Sequence, residues 1–256
     1  MRQPSGAAAA LVVGVYPSAF HVAWSPPVEL DPRDVRKGPF IGSLAVDVEP
    51  VVFWDGAEPA PSAELERWMG DVGFDPQVHG QVTTGTNGPS GSGLVEQFLT
   101  PLKVDPALTA FTDAMPWYFV KYDKGGQGLA IRDRFGPLAA FLGVHNGSLP
   151  SRPSTRELVA LAGSDARRVG LRRELVDADA PLVITLGQEA LDAVRAVCDA
   201  TAGVQVKLSP HGYGAAGELL VDSKVMSLLP LVHPGFARQT KHDAWRAALQ
   251  QWRADL

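Results

Sequence analysis

AAALVVGVYPSAFHVAW, residues 8–24, is the stretch from which the chain is best read. Leu11, Val12 and Val13 form a short continuous apolar run, typical of a strand buried on both faces, and Gly14 and Pro17 then stop it. Strands of this kind open onto ligand crevices at their carboxyl ends. The loop Gly14-Val15-Tyr16-Pro17-Ser18-Ala19-Phe20-His21 is therefore expected where an α/β protein keeps its site. Gly14 permits close backbone approach, Pro17 stiffens the turn, and Phe20 or Trp24 can stack on a flat ligand. A strand followed by a Gly/Pro turn occurs in most α/β proteins, so the loop acquires meaning only from what joins it.

The chain has 256 residues, 45% hydrophobic and 20% charged, enough to bury a large core, and a single domain over 1–256 is expected. Formal net charge is −5, so no global basic field draws in nucleic acid, and binding to it needs a local basic face. One cysteine, Cys198, excludes a disulfide framework, a cysteine zinc site and a four-cysteine iron–sulfur cluster. No metal or cofactor is expected, and a reducing cytoplasm fits. The N-terminal apolar run is short and runs into Gly14 and Pro17, which suits neither a secretory signal nor a membrane span.

Further along, Ser43–Glu49 and Val51–Trp54 read as short peripheral strands around Pro50. Ser62–Val72 reads as a helix opening near Ser62, with Leu65, Trp68 and Met69 inward. Gln81–Gly93, QVTTGTNGPSGSG, reads as a loop leading into a helix over Leu94–Leu102. A Walker loop requires Gly-Lys-Ser/Thr, and here Leu94 follows Gly93, so a nucleoside triphosphate site is not expected. Open amides around Ser90 and Gly91 could still hold one backbone phosphate, although glycine loops ahead of helices are often only turns.

Ala107–Val120 is the second candidate core strand, reading through Phe111 and breaking at Asp113–Pro116. Asp113 then sits at a strand end facing the same crevice as Tyr16, unless it merely caps a turn. Helices are expected around Gly136–Leu142 and over Ser154–Ala162, the latter with Ser154 as N-cap and Glu157 at the capping-box position. Arg167–Asp177 reads as an amphipathic helix whose Arg167, Arg168, Arg172 and Arg173 form a solvated basic face. Pro181–Leu186 reads as a buried strand, Gly187–Ala200 as a helix, Val204–Leu208 and Val225–Val232 as strands, and Asp243–Ala254 as a closing helix with Trp245, Leu249 and Trp252 inward. Strands alternating with helices imply a mainly parallel sheet covered on both faces.

Several motifs occur in order: a GxxP loop after the first strand, Gly88-Pro89-Ser90-Gly91 before a helix, a strand ending Phe111-Thr112-Asp113, Leu186-Gly187 opening a helix, and His233-Pro234 after the last strand. In that order the chain resembles the uracil-DNA glycosylase superfamily over nearly its whole length, with an inserted stretch from about Ser25 to Val82. The resemblance implies a three-layer α/β/α sandwich around a central mainly parallel sheet. It also implies a monomeric hydrolase that takes a damaged or modified base out of DNA and breaks its N-glycosidic bond.

By the same resemblance, His233 points at the base oxygen on which charge grows. Phe20 is the stacking aromatic, with Trp24 and Trp117 as competitors, and Pro234, Gly235, Arg238 and Lys241 face DNA. Two positions depart from the pattern. Tyr16 stands where an Asp, Asn or Glu positions water, and a tyrosine is neither a carboxylate nor a good base at neutral pH. Asp113 stands where an asparagine reads uracil, and a carboxylate there can only accept, so the base should present an amine, or Asp113 handles water instead. Gly235 also replaces a common serine. A binding protein of the same fold that holds nucleic acid or a nucleotide without cleaving it is the alternative, and an unrelated hydrolase or transferase lacks the expected fingerprints.

Overall fold

The apolar run of the opening stretch is a strand, Ala10–Gly14, buried along its whole length. The structure is a computed structural model, and it describes residues 1–4, 6–25, 27, 42–49, 51–53, 60–84, 90–121, 128, 140, 143 and 150–256. In chain order the elements are β1 (Ala10–Gly14), β2 (Ala19–Ser25), β3 (Gly42–Val48), α1 (Ala60–Asp71), α2 (Pro76–His79), β4 (Gln81–Thr84), α3 (Ser90–Leu94) and β5 (Thr109–Asp113). There follow α4 (Thr155–Ala162), α5 (Asp165–Asp177), β6 (Leu182–Leu186), α6 (Gln188–Val197), β7 (Ala200–Ala202), β8 (Gly217–Val221), β9 (Lys224–Leu231), α7 (Pro234–Gln239) and α8 (Asp243–Ala254).

The chain divides into two compact units, one of Met1–Pro17, Pro89–Pro116 and Pro153–Leu256, the other of Ser18–Gly88 and Trp117–Arg152. The stretch expected as an insertion falls in the second unit, which also takes in Trp117–Arg152.

The first unit is mixed α/β, built on a six-stranded sheet of order β5-β1-β6-β9-β8-β7. β5, β1, β6 and β9 run parallel, and β8 runs antiparallel between β9 and β7. Alternate side chains of a strand face opposite sides. Leu11, Val13, Val183 and Leu228 pack on one side with Leu171 and Leu175 of α5 and Leu191, Val194 and Val197 of α6. In α6 those apolar positions recur at helical spacing, and each such side chain contributes about 1.5–3 kcal/mol by leaving water. Val12, Ile184 and Leu229 face the other side and are at most 4% exposed, so the central strands β1, β6 and β9 are buried on both faces there. Phe98 meets Trp252 of α8 edge-on at 5.9 Å. Gly214 admits that α8 ring: at φ +80 a Cβ would stand 2.0 Å from Trp252 Cδ1. The expected cap of α4 is present, since Ser154 N–H donates to Glu157 Oε2 at 2.9 Å and Glu157 N–H donates to Ser154 Oγ at 3.3 Å.

The second unit carries the antiparallel sheet β3-β2-β4. Trp24 is buried in it, donating from Nε1 to His79 O at 2.8 Å, and Phe74 packs between the Trp24 and Trp68 rings at 6.5 and 5.5 Å.

Several local expectations fail for identifiable reasons. Residues 51–53 form a turn instead of a strand, because the buried Glu49 carboxylate accepts from Ser18 N–H at 3.0 Å and Phe53 N–H at 3.2 Å and draws the chain round. Trp54 lies outside the described residues. Gln81–Thr84, read as loop, is a strand pairing with β2. Helix α1 begins two residues before Ser62, which is therefore inside it. Val204–Leu208 is not a strand: the Gln188 side chain takes Val206 O at 3.0 Å and Leu208 N–H at 2.7 Å, leaving no ladder, and Ala200–Ala202 is the edge strand instead. The helix expected at Leu94–Leu102 starts at Ser90 and widens into a π-turn over Val95–Leu99. The helix expected around Gly136–Leu142 lies almost wholly outside the described residues.

Candidate active site

Four parallel strands bring their carboxyl ends to one edge of the first unit's sheet. From β1 the chain goes to β5 on one side and then to β6 on the other, so the topological switch point lies between β1 and β6. Gly14 ends β1 and Gly187 follows β6. Asp113 is paired in register with Gly14, and His233 follows β9, whose Leu231 pairs with Leu186. Gly14 and Asp113, expected at strand ends facing one crevice, and His233, expected after the last strand, lie along this edge.

His233 is held by local geometry. Gly187, at φ 93, starts α6 at once, and its N–H donates to Leu231 O at 2.7 Å. A Cβ on Gly187 would lie 3.8 Å from that of His233. His233 is the N-cap of α7, with Pro234 at the first helical position. Its Nδ1 accepts from Gly235 N–H at 3.1 Å, so the neutral ring carries its proton on Nε2. The imidazole is exposed. One residue earlier, Val232 N–H donates to Tyr213 Oη at 3.4 Å, and the Tyr213 ring sits edge-on to Trp245 and Trp252. Burial pushes the Tyr213 phenol well above its ordinary range, so Oη remains a hydroxyl.

Asp113 is 4% exposed. Beyond its strand the ladder continues, with Ala114 N–H donating to Gly14 O and Met115 N–H to Val15 O, both at 2.9 Å. On the other side the Arg167 guanidinium donates from Nη2 to Asp113 O at 2.6 Å and from Nε to Ala114 O at 2.8 Å. Its fork also grips Glu174, at 2.9 Å on each oxygen, and Thr112 Oγ1 donates to Glu174 at 2.5 Å. Burial pushes the Glu174 carboxyl up, but the bonds from Arg167 and Thr112 outweigh it and hold the group below its ordinary value.

The expected solvated basic face is therefore a correction. Arg167 points into the strand ends, and Arg172 is fixed by Asp199, Asp222 and Val197 O, while Arg168 and Arg173 are exposed. Helix α5 buries little apolar surface of its own, only Leu171 and Leu175 among its side chains, and its arginines complete the packing.

The remaining expected residues fall as follows. Tyr16 is half-buried and Pro17 buried. Ser90 and Gly91 are not loop residues but the first turn of α3. A Cβ on Gly93 would stand 3.3 Å from Arg238 Cδ and Pro234 Cβ, so that glycine serves the close packing of α3 on α7. Gly235 and Arg238 lie on helix α7, not on a loop, and Lys241 is exposed just after it. An open hollow of about 410 Å³ is lined by Gly235, Phe236, Gln239, Thr240, Lys241 and His242. Phe20 and Trp24 belong to β2 of the second unit and are each 1% exposed, so neither presents an open face for stacking. Trp117, also in the second unit, is 53% exposed.

Arg167 and Tyr213 escaped sequence reading. Glu174 lies seven residues after Arg167, two turns along the same helix face, and Tyr213 sits between Gly212 and Gly214; those were the available signals. Among the described residues no three His, Cys, Asp or Glu side chains gather to hold a metal, and no helix is long and apolar enough to cross a membrane. No protein-family model matches the chain, and no curated protein matches it.

Proposed function

We propose that the chain is a base-releasing hydrolase of the uracil-DNA glycosylase type, acting on a damaged or modified base in DNA through the carboxyl edge of the first unit's sheet. The observation that carries this reading is the bond from Gly235 N–H to His233 Nδ1, which puts the imidazole proton on Nε2 and keeps it there while the ring is neutral. The finer reading of the fold, a uracil-DNA glycosylase-like three-layer sandwich, is part of the same proposal, supported by central strands buried on both faces with His233 and Asp113 at one edge.

In the step itself the C1′–N bond breaks and its electron pair leaves with the base. The His233 Nε2–H donates to the base oxygen where that charge collects, a preorganised contact stronger in the transition state than before it. Water adds its hydroxyl to C1′, and its remaining proton ends on the released base. Asp113 accepts from an exocyclic amine, so the base is a cytosine derivative, or an adenine derivative oxidised so that it carries a carbonyl oxygen for His233. A uracil carbonyl would meet the carboxylate with no hydrogen to share.

A second reading, a nucleic-acid- or nucleotide-binding protein of the same fold without cleavage, draws on Tyr16, a half-buried phenol where the resemblance expects an acid or amide. The deciding experiment is base release from single- and double-stranded oligonucleotides carrying uracil, hypoxanthine, xanthine, and alkylated or oxidised cytosine and adenine. Release of an amine-bearing base ahead of uracil is expected. No release from any of them by the folded protein contradicts the hydrolase and favours the binding reading.

A further inference from the structure

Asp113 is the last residue of an edge strand, where a chain ordinarily begins to loosen. Here residues 113–115 are tied from both sides. Ala114 and Met115 donate their N–H groups to Gly14 O and Val15 O, and the carbonyls of Asp113 and Ala114 are taken by a single side chain, Arg167. Two consecutive carbonyls held at 2.6 and 2.8 Å fix the two peptide planes after the Asp113 Cα. The pairing with β1 fixes the chain before it. Together they set the direction of the Asp113 Cα–Cβ bond.

The guanidinium that does this is itself immobilised. Both of its terminal nitrogens engage Glu174, the Arg167 side chain is 12% exposed, and Glu174 is held in turn by Thr112 of the same strand. The loop of contacts runs Thr112 to Glu174 to Arg167 and back to Asp113. A planar fork with donors at fixed angles can make these four bonds at once; a lysine ammonium on a flexible stem cannot.

We infer that Arg167 is the positioning residue for base selection, acting through the Asp113 and Ala114 carbonyls to aim the Asp113 carboxylate at the base. This rests on the reading of Asp113 as the group that accepts from the base amine. It adds a specificity-setting residue that touches no substrate.

The test is the ratio of kcat/KM for an amine-bearing base over its carbonyl counterpart, measured in the full chain and in Arg167→Lys, beside the thermal midpoint of each. A purely structural loss lowers both rates alike and leaves the ratio unmoved. The inference expects the ratio to fall at least tenfold in Arg167→Lys, with a smaller fall in the same direction in Glu174→Gln, which loosens the fork without removing it. If Arg167→Lys does not fold, Glu174→Gln decides. Equal loss on both bases, or no loss, overturns the inference while the active parent sustains the reading of the site. A parent that releases no base overturns that reading and the inference with it.

Discussion

Val232 donates its backbone N–H to Tyr213 Oη at 3.4 Å, immediately before His233 in the chain. Both residues are buried, so Tyr213→Phe leaves the N–H just beyond β9 without its acceptor. A cost of about 1 kcal/mol is expected from urea unfolding, with the slope against denaturant unchanged. The raised phenol pKa gives a second signature. The unfolded phenol ionises near 10 and the folded one higher, so stability is intact below about pH 10 and falls as pH rises beyond it. Tyr213→Phe should lack this alkaline decline, and an unchanged alkaline limb would refute the assignment.

Glu174 gives the opposite limb. Its folded carboxyl titrates below the ordinary 4.5, so its contribution is present above that value and is lost as pH falls through the folded one. Glu174→Gln should cost about 1–3 kcal/mol at neutral pH, discounted from a fully buried pair because both partners keep some exposure. It should also flatten the acid limb below about pH 4.5, which urea midpoints measured from pH 7 to pH 3 would show.

The turn joining β8 and β9 holds Asp222 at φ 46 and Ser223 at φ 72. Asp222 also takes Arg172, so it should stay, but Ser223 has no side-chain partner among the described residues and bears a Cβ in the left-handed region. Ser223→Gly should stabilise the protein by about 1 kcal/mol, read as a higher thermal midpoint.

That turn also shows where the sequence was hard to read. Asp-Ser is a weak hairpin signal beside Asp-Gly, so β8 was missed while the apolar run of β9 stood out. β1, β5 and β6 were legible because each is a short apolar run stopped by Gly or Asp, and α4 because its cap is written in Ser154 and Glu157. The strand-end places of Gly14 and Asp113 followed from those strands, whereas His233 was singled out by the resemblance. What was not legible depends on side chains reaching far along the chain. Gln188 takes the backbone groups that would have made Val204–Leu208 a strand, and Arg167 turns from a charged helix face to carbonyls more than fifty residues away. Phe20 and Trp24 looked like open loop aromatics because burial within β2 is set by the pairings with β3 and β4, which local pattern does not reveal.

The central claim is that His233 donates from Nε2 to a departing base, and single-turnover base release by the parent and by His233→Ala tests it most directly. On the base the parent releases fastest, the variant should be slower by about 100- to 1000-fold, with oligonucleotide binding retained and the thermal midpoint lower only by the few degrees that loss of the α7 cap costs. Equal rates in the two proteins would contradict the account and remove His233 from the chemistry.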